Sequence, residues 1–315
     1  ISLETGKSLN ESRAEVIEAL HMAQYCFGKG REATGDIVAS ELPERDSYVI
    51  RKPKGVVAVI APWNFPFAIG GFWCGGPALL EGNTVVLKPS EKGPSAANLM
   101  AAWWKEAGLP DGVLTVLHGD KEAVDGLVTH PDVKAVSFVG STPIARYVYE
   151  TGTAHGKRVQ ALGGAKNHML VLPDADLDLA ADAAVNAGFG SAGERCMAIS
   201  ALVAVESIAD ELVAKIAERM AGLSTGDGRR GYDMGPLVTA QHRDKVRGYV
   251  DAGVAAGADL VVDGRDVVPE GDPHGYWLGP TLFDRVTPDM SIYREEIFGP
   301  VLSVVRVPGY EEGLR

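Results

Sequence analysis

Cysteine is scarce. Cys26, Cys74 and Cys196 are the only three, too few and too widely spaced for a disulfide framework or a zinc site. No metal is therefore expected, and a reducing, cytoplasmic setting is the simplest reading. No apolar run approaches the roughly 20 residues that a membrane-spanning helix needs, so no membrane partner is expected. Basic charge is in deficit: 30 Lys and Arg against 42 Asp and Glu leave a net charge of −12. Without a Lys/Arg cluster, nucleic acid is not an expected partner. An anionic ligand would have to be met by single cations, backbone N–H groups and helix N-termini. Internal repeats and low-complexity tracts are lacking beyond Ala-rich helices. Neither a charged-then-apolar leader nor an initiator Met opens the text, and "YEEGLR" at its close reads as the start of another helix. The sequence thus reads as an internal piece of a longer protein.

What is present is a rhythm. Short β-branched runs at 55–62, 83–89, 113–119, 133–140, 168–173, 201–206, 259–264 and 301–307 read as strands. Helical patterns lie between them, at about 8–27, 66–80, 94–107, 121–129, 142–153, 176–189, 207–222 and 239–256. In the segment 207–222, Ser207 and Asp210 suggest a capping box, and Ile208, Leu212, Ile216 and Met220 share one face. Apolar rather than alternating strands, separated by helices, imply an α/β fold with parallel sheets covered on both faces. The polar stretch 29–54, with Pro43 and Pro53, breaks the rhythm and is expected to project as a hairpin.

Several motifs could carry chemistry. "GFGSAG" (188–193) matches G-x-G-x-x-G, but a helical pattern precedes it and a strand follows. That order is wrong for a dinucleotide cradle, and close backbone packing around Cys196 is the better reading. Cys196 itself is either a nucleophile beside Glu194 and Arg195 or a small packing residue. Asn64 in "APWNFPFAIG" is either a turn residue or an amide aimed at a developing oxyanion. Lys88 and Glu91 are a solvated pair or ligands of a ribose or phosphate. Gly140, Ser141 and Thr142 stand between a strand and a helix, where N–H groups meet phosphate or Ser and Thr merely cap. "ALGGAKN" has paired glycines between strand runs, and "REEIFGP" sets Glu295 and Glu296 beside Phe298.

The order of these motifs is more specific than any one of them. PWNFP, KPSE, FVGST, ALGGAKN, GERC and EEIFGP in succession resemble the aldehyde dehydrogenase superfamily over nearly the whole chain. From about Glu91 onward, "STPIARYVYE", "RVQALGGAKNH", "GSAGERCMAIS", "MGPLVTAQHRDKV" and "PDMSIYREEIFGPVLSVVRV" resemble its CoA-acylating methylmalonate-semialdehyde branch.

The resemblance implies an NAD-binding domain over 1–163, with 29–54 as an oligomerisation hairpin. A catalytic domain, 164–315, would be incomplete at its C-terminus. Cys196 would be the nucleophile, with Asn64 and the Cys196 backbone N–H as the oxyanion hole. Trp63, Lys88, Glu91, Gly140, Ser141 and Ile144 would line the NAD site, with Glu296 on the nicotinamide ribose and Phe298 beside it. Hydrolytic relatives carry Glu immediately before the LGG motif, where this chain has Ala161, and a methyl group takes no proton. Release of the acyl group to CoA is therefore expected. Arg195 would hold a substrate carboxylate, or else pair with Glu194 or another acid. The expected substrates are methylmalonate or malonate semialdehyde, leaving as propionyl-CoA or acetyl-CoA with loss of CO2. A homo-oligomer, dimer or tetramer, is expected. The alternatives are an NAD(P)-dependent hydrolytic enzyme and an inactive nucleotide-binding fragment.

Overall fold

The computed structural model describes residues 1–32, 35–269, 272 and 274–315. It divides into two compact units, one of residues 13–163, the other of residues 1–12 with 164–315. The sequence reading assigned residues 1–12 to the first unit; they pack with the second. The reason is local and largely backbone. A Cβ on Gly235 would stand 2.0 Å from the Gly6 carbonyl oxygen, and one on Gly228 would stand 2.6 Å from that of Lys7. Glu11 adds a polar tie, accepting from the Ser191 N–H at 2.6 Å and its hydroxyl at 2.9 Å.

In the unit of residues 13–163, β1 (Gly35–Val38) and β2 (Ser47–Ile50) form an antiparallel hairpin whose positions are all exposed. A five-stranded parallel sheet follows: β3 (Val56–Ile60), β4 (Thr84–Lys88), β5 (Leu114–Val116), β6 (Val133–Val139) and β7 (Arg158–Leu162). Its order is β5-β4-β3-β6-β7. Ala58, Ile60, Val136 and Phe138 of its central strands are buried with Val128 and Val148 of the covering helices. The chain runs outward from β3 to β5, then returns to lay β6 on the other side of β3. That reversal opens a crevice beyond the C-terminal ends of β3 and β6.

The helix expected over 66–80 begins with wide turns, as a π-helix over Ala68–Gly75, before tightening over Gly76–Leu80. Glycine permits this. A Cβ on Gly71 would stand 1.8 Å from the Met100 sulfur, and one on Gly75 would stand 2.8 Å from the Gly70 carbonyl oxygen.

The second unit carries β8 (Asn167–Val171), β9 (Ile199–Val205), β10 (Asp259–Val262), β11 (Thr281–Asp284) and β12 (Val301–Val307), in the order β10-β11-β12-β9-β8. All neighbours are parallel except β10, which runs antiparallel to β11. Leu202, Phe283, Leu302, Leu212 and Ile216 lie in its core. The helix carrying the last two spans Glu206–Ala221, with Val205 and not Ser207 at its N-cap. The expected capping box is absent because β9 runs straight into the helix. Asp210 instead meets Arg306 at 2.7 Å.

Candidate active site

Parallel strands align their C-terminal ends, and the first unit uses this to gather residues far apart in sequence. Ile60 of β3 is in register with Lys88 of β4 on one side and Phe138 of β6 on the other. Trp63 and Asn64 follow β3, Glu91 follows β4, and Gly140 and Ser141 follow β6, so all issue from one edge of the sheet. Asn64 is buried. Lys88 is buried with its Nζ 3.4 Å from Glu91 Oε2, while the Glu91 side chain is half exposed. Ser141 is the N-cap residue of the helix Thr142–Ala154, but its side chain makes no capping bond. Ile144 is left 48% exposed on that helix's first turn.

The turn after β3 has a support that no motif announced. Glu15, from the helix Leu9–Lys29, is 1% exposed. Its Oε1 accepts from the backbone N–H groups of Phe67 and Ala68 at 2.8 and 3.2 Å. Those N–H groups open the π-helix and have no helical acceptor behind them, so the carboxylate fixes the end of PWNFP. In sequence Glu15 is one acid of an amphipathic helix and gives no sign of burial.

In the second unit, Cys196 lies between the helix Leu177–Phe189 and β9. Ser191, Ala192 and Gly193 take φ of 49°, 54° and 71°, three left-handed residues in a row. This is costly for Ser and Ala. The glycines serve packing: a Cβ on Gly193 would stand 2.1 Å from the Gly299 carbonyl oxygen. One on Gly190 would stand 2.4 Å from the Arg195 guanidinium. Asn167, at the start of β8, donates through its side-chain amide to the Cys196 carbonyl at 2.9 Å and the Ala198 carbonyl at 3.0 Å. The turn is thus held from both sides, by Glu11 before it and Asn167 after it.

One cleft of this unit is lined by Arg195, Cys196, Glu296 and Phe298, with Asn167 and Gly299. Cys196 is partly exposed there. Glu194 faces elsewhere: it is 3% exposed and accepts from the Val238 N–H at 3.1 Å. Lys166 braces the segment carrying Glu296, donating to the Ile292 carbonyl at 2.7 Å and the Glu295 carbonyl at 2.9 Å. Burial pushes the Lys166 ammonium down to about 8, against the opposing pull of Glu296 and Glu295. Tyr249 hydrogen-bonds the Glu295 carboxylate, and burial, then that bond, raises its hydroxyl to about 12.

Of the residues singled out in sequence, four share this cleft and seven lie in the first unit. Glu11, Glu15, Lys166 and Asn167 are not singled out by the sequence. Lys166 and Asn167 lie in plain view within ALGGAKN, but nothing local marks side chains that bond backbone 126 and 29 residues away. Among the described residues no group of His, Cys, Asp and Glu could hold a metal ion, and no helix is long and apolar enough to cross a membrane.

Residues 1–315 match the model of the aldehyde dehydrogenase family. Malonate-semialdehyde dehydrogenase of Pseudomonas aeruginosa is 53% identical over 317 residues, covering 100% of this chain and 64% of that protein. The crystal structure of methylmalonate-semialdehyde dehydrogenase from Oceanimonas doudoroffii superposes with a TM-score of 0.95 at 48% identity, over 99% of this chain and 64% of the other. Betaine aldehyde dehydrogenase of Staphylococcus aureus in complex with NAD+ does so at 0.95 and 30% identity, over 99% of this chain and 62% of the other. The chain spans about 64% of the length of such a relative.

Proposed function

The chain belongs to the aldehyde dehydrogenase family, and from that premise we propose that it oxidises a carboxylate-bearing semialdehyde, malonate or methylmalonate semialdehyde, and passes the acyl group to CoA. The observation that carries this reading is the cleft that Cys196 and Arg195 line together with Glu296 and Phe298. A thiol supplies the nucleophile, and an adjacent guanidinium supplies a planar fork for a carboxylate.

The Cys196 thiolate adds to the aldehyde carbon, making a C–S bond and an alkoxide. Its backbone N–H, held in place by Asn167, donates to that oxygen. Asn64 is assigned as the second donor from its place in the PWNFP motif. NAD, when bound, supplies the hydride acceptor. Glu296 is assigned to the nicotinamide ribose, with Phe298 against the ring. The donors gathered beyond β3, β4 and β6 suit the rest of such a dinucleotide: buried Lys88 with Glu91 for hydroxyls, the helix N-terminus at Gly140 and Ser141 for phosphate. Trp63 and exposed Ile144 offer apolar surface. The relatives named malonate- and methylmalonate-semialdehyde dehydrogenase, and the NAD+ complex of the betaine aldehyde enzyme, support these assignments.

Loss of hydride leaves a thioester on Cys196. No acid stands at the end of β7, where Ala161 and Leu162 lead into Gly163 and Gly164, and Glu194 is buried against Val238. The acyl enzyme therefore needs an incoming thiolate in place of water, which favours CoA over hydrolysis. The β-carboxylate departs as CO2, giving acetyl-CoA or propionyl-CoA.

Rapid mixing with NAD and the semialdehyde, with and without CoA, tests the reading. A burst of about one NADH per Cys196, as a stoichiometric acyl enzyme requires, should become sustained turnover only when CoA is added. Cys196→Ala should abolish the burst. Sustained turnover without CoA would sink the acylating assignment.

A further inference from the structure

Two left-handed turns meet beneath the cleft. One is Ser191–Gly193, before the nucleophile. The other is at Phe298, whose φ of 59° is outside the range its side chain prefers. The turns interlock, since a Cβ on Gly193 would collide with the Gly299 carbonyl oxygen at 2.1 Å, and the helix Ala240–Ala255 closes over Gly299, where a Cβ would stand 2.6 Å from Val246. Such a conformation persists only where its surroundings over-determine it.

We infer that His242 is the latch that keeps the Phe298 turn closed on the Cys196 turn, and so sets how the nicotinamide-side residues Glu296 and Phe298 stand toward the thiol. His242 belongs to the first turn of the helix Ala240–Ala255, where Thr239 caps its N–H at 3.1 Å. Its Nε2 is 2.7 Å from the Phe298 carbonyl oxygen. A carbonyl only accepts, so Nε2 carries the proton. The Glu194 carboxylate lies 3.6 Å from the same nitrogen. The two rings pack edge to face, with centroids 6.3 Å apart. One side chain thus touches Glu194, two positions before the nucleophile, and Phe298, two positions after Glu296. His242 meets no reacting atom; it is a positioning residue.

The inference rests on the proposed roles of Cys196, Glu296 and Phe298, and the test separates the two. His242→Ala removes the donor, whereas His242→Gln returns an N–H at similar reach. The KM for NAD should rise about tenfold in the alanine variant, with kcat changed less than about threefold, and glutamine should restore most of the loss. Alkylation of Cys196 by iodoacetamide, followed on its own peptide by mass spectrometry, should be about fivefold faster in the alanine variant and near the parent rate with glutamine. A parent that binds no NAD and forms no NADH would end the functional reading while leaving the alkylation comparison intact. Equal alkylation rates in all three proteins, or an alanine variant that loses thermal stability with no change in KM or alkylation, would overturn the latch.

Discussion

Asn167 shows how much of the site rests on a single amide. Its two N–H groups satisfy the Cys196 and Ala198 carbonyls, which otherwise have to find water at the floor of a narrow cleft. An unsatisfied buried acceptor costs about 1–3 kcal/mol. Asn167→Ala should therefore lower the urea midpoint and slow acylation in single-turnover NADH traces about tenfold or more. Asn167→Asp, which sets oxygens against oxygens, should do worse. Lys166 makes a different prediction. Its ammonium is held down to about 8, chiefly by burial, against an ordinary 10.5. Between those values the unfolded chain keeps a proton that the folded chain has released. Stability therefore rises with pH across that window and is lost again as pH falls through about 8. Urea midpoints measured from pH 7 to pH 10 should show this rise in the parent and lose it in Lys166→Met.

At the scale of elements, glycine governs the loop of the nucleophile. Gly193→Ala would meet both a φ of 71° and the Gly299 carbonyl oxygen at 2.1 Å. The substitution should destabilise by about 3 kcal/mol or more, and circular dichroism melts should register it. Gly257→Ala makes a useful contrast. Its φ of 88° is also left-handed, but a Cβ there meets nothing within 4 Å, so it should show backbone strain alone. Elements with strong periodicity were legible in sequence: the helix expected over 121–129 spans Lys121–Thr129, and the strand expected over 301–307 spans Val301–Val307. β11 was not, because "TLFD" is four residues long and lacks a flanking pattern. The π-helix was hidden as well, since local text cannot show that Met100 fills the space beside Gly71. For the site, the order of motifs gathered the main candidates. The side chains that brace them, Glu11, Glu15 and His242, work across separations that no local pattern encodes.

Over the whole molecule, contacts in the second unit join distant stretches of chain. β9 pairs with β12, setting Ala201 beside Ser303, and Glu11 reaches Ser191 across 180 positions. In the unit of residues 13–163, β3 and β4 lie close in sequence and pair directly. Loop closure makes the longer pairings slower. Pulse-labelled hydrogen exchange during refolding should find the amides of Val57 and Val86 protected before that of Ser191. Residues 1–12 give this a particular consequence during biosynthesis. Their packing partners, Ser191, Gly228 and Gly235, leave the ribosome long after them. Residues 1–12 must wait, undocked, while the 13–163 unit emerges, and the seat of the nucleophile is completed only when they come home.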